Sequence, residues 1–211
     1  MTRAAAIKHG YTAGARGLAS RSVTGLTRTR ITPNALTATG VSLCAAASIL
    51  VLFEDHNKIL FYWLAAVVFV AGSLLDILDG ALARAGGKTT PFGAYLDSTT
   101  DRVSEGFMLT AIAYVLATHH HPVFVVVALP GVAGSFLVSY TRAKAEALGL
   151  RGDVGIGSRA ERVVVITAGL VLAPWGVLPW ALVLLAFTAW VTVVQRVLHV
   201  SKQLMEASHG E

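Results

Sequence analysis

Residues 59–101 read ILFYWLAAVVFVAGSLLDILDGALARAGGKTTPFGAYLDSTTD and contain an apolar run followed by four aspartates. The first part of this stretch, Ile59–Leu75, carries no charge, and aspartates then follow at positions 76, 79, 97 and 101. A bilayer-crossing helix needs roughly 20 mostly apolar residues. The glycine-containing segment 83–93 predicts a short loop between two antiparallel helices. The stretch therefore predicts two neighbouring membrane helices with carboxylates at their connected ends.

The composition of the whole chain supports a membrane protein. Of its 211 residues, 55% are hydrophobic and only 14% are charged, whereas a soluble domain carries about 25% charged residues. Six segments are apolar enough to be candidate spans, and they cover residues 35–53, 59–83, 97–118, 122–147, 162–175 and 178–199. We therefore expect an all-α, polytopic fold with six transmembrane helices within residues 32–200.

The basic residues are distributed unevenly along the chain. With six spans, sixteen of the seventeen Lys and Arg residues fall on one side of the membrane, and only Lys58 lies in an opposite loop. Positive charge concentrates on the cytoplasmic side of membrane proteins with short loops. We therefore expect the termini, the tail 201–211 and the aspartates to face the cytoplasm, in the inner (cytoplasmic) membrane of the cell. This distribution argues against a nucleic-acid partner.

Residues 1–31 mix basic and small apolar residues. This pattern favours an amphipathic segment that lies on the anionic leaflet of the lipid bilayer. A disordered basic tail is the alternative interpretation.

The spacing of the aspartates predicts a metal site. Asp76 and Asp79 are three residues apart, and Asp97 and Asp101 are four apart, so each pair shares one helix face. Converging carboxylates would repel one another, and charges inside a membrane are costly. Divalent cations would offset both costs, because Mg²⁺ and Mn²⁺ prefer oxygen ligands. The four carboxylates could hold two such ions, an arrangement used for displacements at phosphorus.

The residues near the aspartates are suited to a phosphate. Gly80, Ala83 and Gly93 are small and would let a phosphate or a base lie against the backbone. Arg84 follows one turn after Gly80 and can clamp phosphate oxygens. Structural ion pairs between the aspartates and Arg84, Arg102 or loop arginines are one alternative. An ion-coupled membrane transporter is another, although all four acids lie at one end of the helices.

The pattern Asp76-x-x-Asp79-Gly80-x-x-Ala83-Arg84, followed by Gly93-x-x-x-Asp97-x-x-x-Asp101, resembles the complete signature of the CDP-alcohol phosphotransferases, also called CDP-alcohol phosphatidyltransferases. The resemblance implies six transmembrane helices after an amphipathic segment, a homodimer, and transfer of a lipid phosphate from a CDP-linked lipid to an alcohol with release of CMP. It also implies that the four aspartates bind two ions and that Asp101 is the general base for attack at the β-phosphorus. The residues expected to contact the CDP-lipid are Asn34, Thr37, Gly80, Ala83, Arg84, Thr90 and Gly93. For Asn34, a helix-capping role competes.

The acceptor alcohol is predicted from basic segments outside this signature. Residues 139–146, 150–153, 159–162 and 194–196 are rich in cations, which favours an acceptor that carries its own phosphate. Ordinary positive charge on the cytoplasmic side is the alternative. These segments resemble the phosphatidylinositol phosphate synthase branch of the family, which joins myo-inositol 1-phosphate to CDP-diacylglycerol. The residues expected around the acceptor phosphate are Ser139, Arg142, Arg159, Arg162 and Arg196.

Two departures from that branch concern the same segments. Arg142 and Lys144 exchange the usual order of lysine and arginine, and Ser158 stands where a glutamate commonly precedes Arg159.

Glycerol 3-phosphate, the acceptor of a phosphatidylglycerophosphate synthase, is an alternative acceptor, since it is also phosphorylated. An archaetidylinositol phosphate synthase, with an ether-lipid donor, is another alternative.

Overall fold

The computed structural model describes residues 32–85, 87, 89–118 and 122–208. These residues form six α-helices and no β-strand, so the all-α prediction is confirmed for this part of the chain. The helices are α1 Pro33–Val51, α2 Lys58–Ala85, α3 Pro91–Thr118, α4 Pro122–Ala147, α5 Arg159–Val171 and α6 Leu178–Ser208, with a 3₁₀ turn at Ala173–Trp175. The predicted amphipathic segment, residues 1–31, lies outside the described residues.

Four helices in the described ranges are long and apolar enough to cross a membrane: Pro33–Val51, Lys58–Arg84, Val123–Ala147 and Leu178–Ser208. The other two predicted spans correspond to α3 and α5. Helix α3 begins at Pro91, before the predicted span, and its first half carries Asp97 and Asp101. Helix α5 has only 13 residues, or about 20 Å at 1.5 Å per residue, against a bilayer core of about 30 Å. The count of six spans therefore stays a prediction.

Threonine and proline define where α1 and α3 begin. Pro33 and Pro91 are the first residues of these helices, a position where proline is favoured because its missing N–H is not needed. The preceding threonines cap the helices: the backbone N–H of Ala35 donates to Thr32 Oγ1 at 3.3 Å, and that of Gly93 donates to Thr90 Oγ1 at 3.0 Å. Both helix starts lie beside the candidate site described below.

The chain divides into two compact units. Among the described residues, unit 1 contains 32–43 and 71–103, so it comprises the start of α1, the end of α2 and the start of α3. Helices α1 and α2 approach closely where Gly40 faces Gly72, because a Cβ on Gly40 would lie 3.0 Å from the Gly72 carbonyl oxygen. Small residues permit such close crossings of membrane helices. The crossing brings Thr37 of α1 next to Asp79 of α2.

Unit 2 contains residues 44–70 and 104–208 of the described chain, and it has its own apolar core. Met108, Leu109, Leu170 and Leu185 are among its fully buried side chains. Helices α4 and α6 pack closely in this unit. Ala189 fits against Gly134, where a Cβ would lie 3.0 Å from that of Ala189. This packing continues along both helices and places Arg196 of α6 beside Val138 of α4.

Candidate active site

Three of the four aspartates form a cluster in unit 1, between the last turns of α2 and the first half of α3. Carboxylate oxygens of Asp76, Asp97 and Asp101 all lie within 4.8 Å of one another. Asp76 is buried, and Asp97 and Asp101 are half-buried. The helical spacings position them, since Asp97 and Asp101 are one turn apart on α3 and Asp76 faces them from α2. The predicted convergence of carboxylates from two helices is therefore present in the structure.

The fourth aspartate, Asp79, lies next to this cluster and is 3% exposed. The Thr37 hydroxyl donates a hydrogen bond to its Oδ2. Its Oδ1 is buried and has no hydrogen-bond partner within the part of the chain that the structure describes. A buried polar atom without a partner costs about 1–3 kcal/mol. Asp79 also lies within electrostatic range of Asp76 and Asp97. A cation bound here would give Asp79 Oδ1 a partner and would offset the repulsion between the carboxylates.

The residues present fit a divalent cation of the Mg²⁺ or Mn²⁺ type. All the candidate donors are carboxylate oxygens, which are the ligands that these hard cations prefer. The alternative interpretation was that the aspartates form structural ion pairs with Arg84, Arg102 and loop arginines. Neither Arg84 nor Arg102 forms an ion pair with an aspartate among the described residues.

A cavity of about 300 Å³ opens beside the aspartates in unit 1. Its size is at the lower end for small-molecule sites. Asp79 and Asp97 form part of its wall. All the residues predicted to contact a CDP-lipid line this cavity: Asn34, Thr37, Gly80, Ala83, Arg84, Thr90 and Gly93. The structure therefore brings this whole predicted set together, although the role of each residue stays a prediction.

The glycines keep this cavity open. A Cβ on Gly80 would lie 3.4 Å from Nη1 of Arg84, so the exposed guanidinium extends over the surface of Gly80. A Cβ on Gly93 would lie 3.1 Å from the Thr90 hydroxyl that caps α3. Side chains at these two positions would occupy space next to the polar groups of the cavity. The arrangement can accept a flat, negatively charged group between Arg84 and the aspartates.

The residues predicted to bind the acceptor phosphate all belong to unit 2. Arg142 and Arg162 each lie within electrostatic range of Arg196. Ser139 is half-buried on α4, and Arg159 is half-buried at the start of α5. That Ser139 and Arg159 belong to the same site as the three arginines stays a prediction.

Arg196 is the most informative of the three arginines. It is 5% exposed. Its Nε donates to the carbonyl oxygen of Val154 at 2.9 Å, and its Nη1 donates to that of Val138. Asp153 and Glu146 partly offset its charge from a distance, but no carboxylate of the described chain pairs with it directly. A buried charge without an ion pair is costly, so this position favours binding of an anion.

Arg142 and Arg162 both have carboxylate partners. Arg142 pairs with Glu146 at 2.8 Å on the exposed surface of α4, where such pairs contribute little to stability. Arg162 is buried and forms a two-pronged ion pair with Glu105 at 2.7 Å and 2.8 Å. Glu105 was not among the residues predicted from the sequence. Its spacing could have identified it, because Glu105 follows Asp97 and Asp101 at intervals of four residues on α3.

The sequence of this chain is similar to those of known membrane-lipid enzymes. Residues 30–195 match the sequence model of the CDP-alcohol phosphatidyltransferase family. A phosphatidylinositol phosphate synthase of Mycolicibacterium smegmatis is 39% identical over 86% of this chain and 84% of its own length. An archaetidylinositol phosphate synthase of Pyrococcus horikoshii is 37% identical over 82% of this chain and 86% of its own length.

Solved structures of the phosphatidylinositol phosphate synthase of Mycobacterium tuberculosis share this fold. The crystal structure with CDP-DAG bound has a TM-score of 0.75 and 32% identity, and the match covers 86% of this chain and 92% of that one. The complex with manganese and citrate has a TM-score of 0.76 and 33% identity, covering 86% and 88% of the two chains. With its several apolar helices, the protein is a multi-pass membrane protein, and it belongs to the CDP-alcohol phosphatidyltransferase family.

Proposed function

We propose that this protein transfers the phosphatidyl group of CDP-diacylglycerol to myo-inositol 1-phosphate, which yields phosphatidylinositol phosphate and CMP. The carboxylate cluster beside the cavity of unit 1 carries this proposal, because it combines metal ligands with a site for a flat, anionic group. The names of the two relatives and the CDP-DAG complex of the mycobacterial enzyme support the choice of substrates.

Asp76, Asp79, Asp97 and Asp101 are the proposed ligands of two divalent ions, Mg²⁺ or Mn²⁺. The manganese complex of the mycobacterial enzyme supports this assignment. When bound, the ions would neutralise the pyrophosphate and stabilise the charge on the departing CMP.

The cavity residues would bind and orient the CDP group of the donor. Arg84 offers its guanidinium to the phosphate oxygens. The absence of side chains at Gly80 and Gly93 lets the nucleotide lie close to the backbone. Asn34 and Thr37 of α1 also line the cavity. Thr37 also holds the Asp79 carboxylate in place.

Asp101 is the proposed general base. It would accept the proton of the acceptor hydroxyl while the hydroxyl oxygen forms a bond to the β-phosphorus of the donor. The bond from this phosphorus to the bridging oxygen breaks, and the bridging oxygen leaves with CMP. The new phosphodiester joins the lipid to the alcohol.

Arg196 is the proposed main ligand of the acceptor phosphate, because its buried charge has no carboxylate partner among the described residues. Arg142 and Arg162 would add positive charge around it. Ser139 and Arg159 complete the proposed set on α4 and α5. The similarity to an archaetidylinositol phosphate synthase makes an ether-linked donor a second candidate with the same acceptor.

The membrane setting is also a proposal. We infer six crossings, with α3 and the segment from Arg159 to Trp175 as the additional two, and an active site that faces the cytoplasm from the inner membrane. The Lys and Arg distribution supports this orientation. A homodimer is proposed from the family resemblance, and mass measurements in nanodiscs would test it.

An acceptor panel tests the proposed reaction. Purified protein in nanodiscs receives a divalent cation and either CDP-diacylglycerol or its ether-linked analogue. Myo-inositol 1-phosphate, glycerol 3-phosphate and free inositol are then compared by CMP release. We expect turnover with myo-inositol 1-phosphate. Release only with glycerol 3-phosphate would overturn the acceptor assignment, and preference for the ether lipid would overturn the donor assignment.

A further inference from the structure

A buried ion pair joins α3 to α5 in unit 2. Glu105 is 8% exposed and Arg162 is 4% exposed. Arg162 Nε donates to Glu105 Oε1 at 2.7 Å, and Nη2 donates to Oε2 at 2.8 Å. This bidentate pairing fixes the plane of the guanidinium as well as its position. A pair that served charge balance alone would not require two parallel hydrogen bonds.

A second set of hydrogen bonds fixes the same guanidinium from the other side. Arg162 Nη1 donates to the carbonyl oxygen of Gly157 at 2.8 Å. The N–H of Gly157 donates to Thr192 Oγ1 at 2.7 Å, and this hydroxyl donates to the Thr188 carbonyl oxygen at 2.8 Å. These hydrogen bonds attach the loop before α5 to α6. They also hold the Gly157 carbonyl oxygen in the position where it accepts the hydrogen bond from Arg162.

Gly157 fits this place because it has no side chain. A Cβ there would lie 2.8 Å from Thr192 Oγ1 and 2.9 Å from the Thr188 carbonyl oxygen. Both distances are too short for a carbon atom, so the loop reaches α6 only with glycine. The same loop also accepts a hydrogen bond from Arg196 through the Val154 carbonyl oxygen. One loop therefore holds both buried arginines of the proposed acceptor site.

The held guanidinium still has hydrogen-bonding capacity. An arginine side chain has five N–H donors, and the Glu105 and Gly157 contacts use three of them. The remaining two, on Nη1 and Nη2, have no acceptor among the described residues. Because Arg162 lies within electrostatic range of Arg196, these donors are part of the same positive cluster.

We propose that Glu105 is a positioning residue for the acceptor, which acts by holding Arg162 so that its two remaining donors face the acceptor phosphate. This inference rests on the proposed function, since it assumes a phosphorylated acceptor at the arginine cluster. A positioning role and a purely electrostatic role of Glu105 predict opposite effects of its removal on acceptor binding. Removing the negative charge of Glu105 would strengthen anion binding if charge alone mattered, whereas loss of the bidentate contact weakens binding if orientation matters.

The test compares Glu105→Gln with the matched control Glu206→Gln. Glu206 forms an exposed ion pair with Lys202 at 3.8 Å, so the control removes a carboxylate of the same chemistry outside the site. For Glu105→Gln we expect the KM for myo-inositol 1-phosphate to rise about 10-fold or more, the size of effect known for residues that orient metal ligands. The KM for CDP-diacylglycerol should change little, and Glu206→Gln should behave as wild type.

Dependence on Arg162 separates positioning from a general structural role. In an Arg162→Lys background, Glu105→Gln should produce little further rise in the acceptor KM, because a lysine has no guanidinium plane to hold. A full additional rise would overturn the proposal. So would an unchanged or lower acceptor KM in the single variant, whatever its effect on thermal stability or kcat.

Thr192 supplies a second, milder test in case Glu105→Gln does not fold. Thr192→Val removes the hydroxyl that holds Gly157, and Thr192→Ser keeps it. We expect a larger rise in the acceptor KM for valine than for serine, and equal values would contradict the proposal. If the wild-type protein releases CMP with none of the acceptors, the proposed function itself fails, which is a different outcome from any of these.

Discussion

At the scale of single residues, the candidate site depends on how each carboxylate is held. Asp76, Asp97 and Asp101 are brought together by helix spacing. Asp79 is held by a residue of another helix, because the Thr37 hydroxyl donates to it. Residues that orient metal ligands influence affinity even though they do not touch the ion. Thr37 is therefore a sensitive position for testing the metal site.

Replacing Thr37 with valine removes the hydroxyl and retains the branched shape. We expect Thr37→Val to lower the affinity for Mn²⁺ by about 10-fold or more, measured by electron paramagnetic resonance on purified protein. Thr37→Ser keeps the hydroxyl and should retain most of the affinity. Identical Mn²⁺ affinity in the valine variant and the wild type would show that Asp79 needs no support from α1.

Arg196 permits a second test at this scale. Hydrogen bonds to charged groups contribute about 1.5–3 kcal/mol, so losing one to a phosphate should raise the acceptor KM about 10-fold to 100-fold. We expect this for Arg196→Gln in steady-state rates measured against acceptor concentration. Lys202→Gln, an exposed cation on the same helix, is the control. A rise of equal size in both variants would indicate nonspecific loss of positive charge.

At the scale of helices, the sequence was sufficient for much of the fold. Apolar runs predicted where most of the helices lie, because this signal is local, but they missed the first turns of α3 at Pro91. The aspartate spacing predicted which faces would meet. Contacts between distant residues could not be predicted in this way: Arg162 and Glu105 are 57 positions apart. No periodicity links the Gly157 N–H to Thr192, so the fastening of that loop became visible only in the structure.

The close crossing of α1 and α2 at Gly40 predicts that a larger side chain there lowers stability. Gly40→Val would place methyl groups against the Gly72 carbonyl oxygen, where even a Cβ lies at 3.0 Å. Overpacking of this kind typically costs about 1–3 kcal/mol, so we expect a lower unfolding temperature in detergent and weaker metal binding. Ala38→Val alters an exposed position on the same helix. If both variants melt at the wild-type temperature, the close crossing does not support the site.

At the scale of the whole molecule, the uneven distribution of charge predicts the orientation in the membrane. Cys44 is buried and can be replaced to give a background without reactive thiols. In that background, Asp55→Cys should react with a membrane-impermeant maleimide in intact cells. Glu206→Cys should react only after the membrane is permeabilised, because the positive side faces the cytoplasm. The reverse pattern of labelling would place the aspartates on the outer side.

We propose that the aspartate cluster catalyses transfer from a CDP-lipid. CMP release by purified Asp101→Asn tests this proposal, with Asp55→Asn as the control from an exposed loop. A positioned general base contributes about 10²-fold to 10⁴-fold to the rate. We predict a loss of that size in kcat for Asp101→Asn, with an unchanged melting temperature, and wild-type turnover for Asp55→Asn. Retained CMP release in folded Asp101→Asn would show that the cluster does not catalyse the reaction through Asp101.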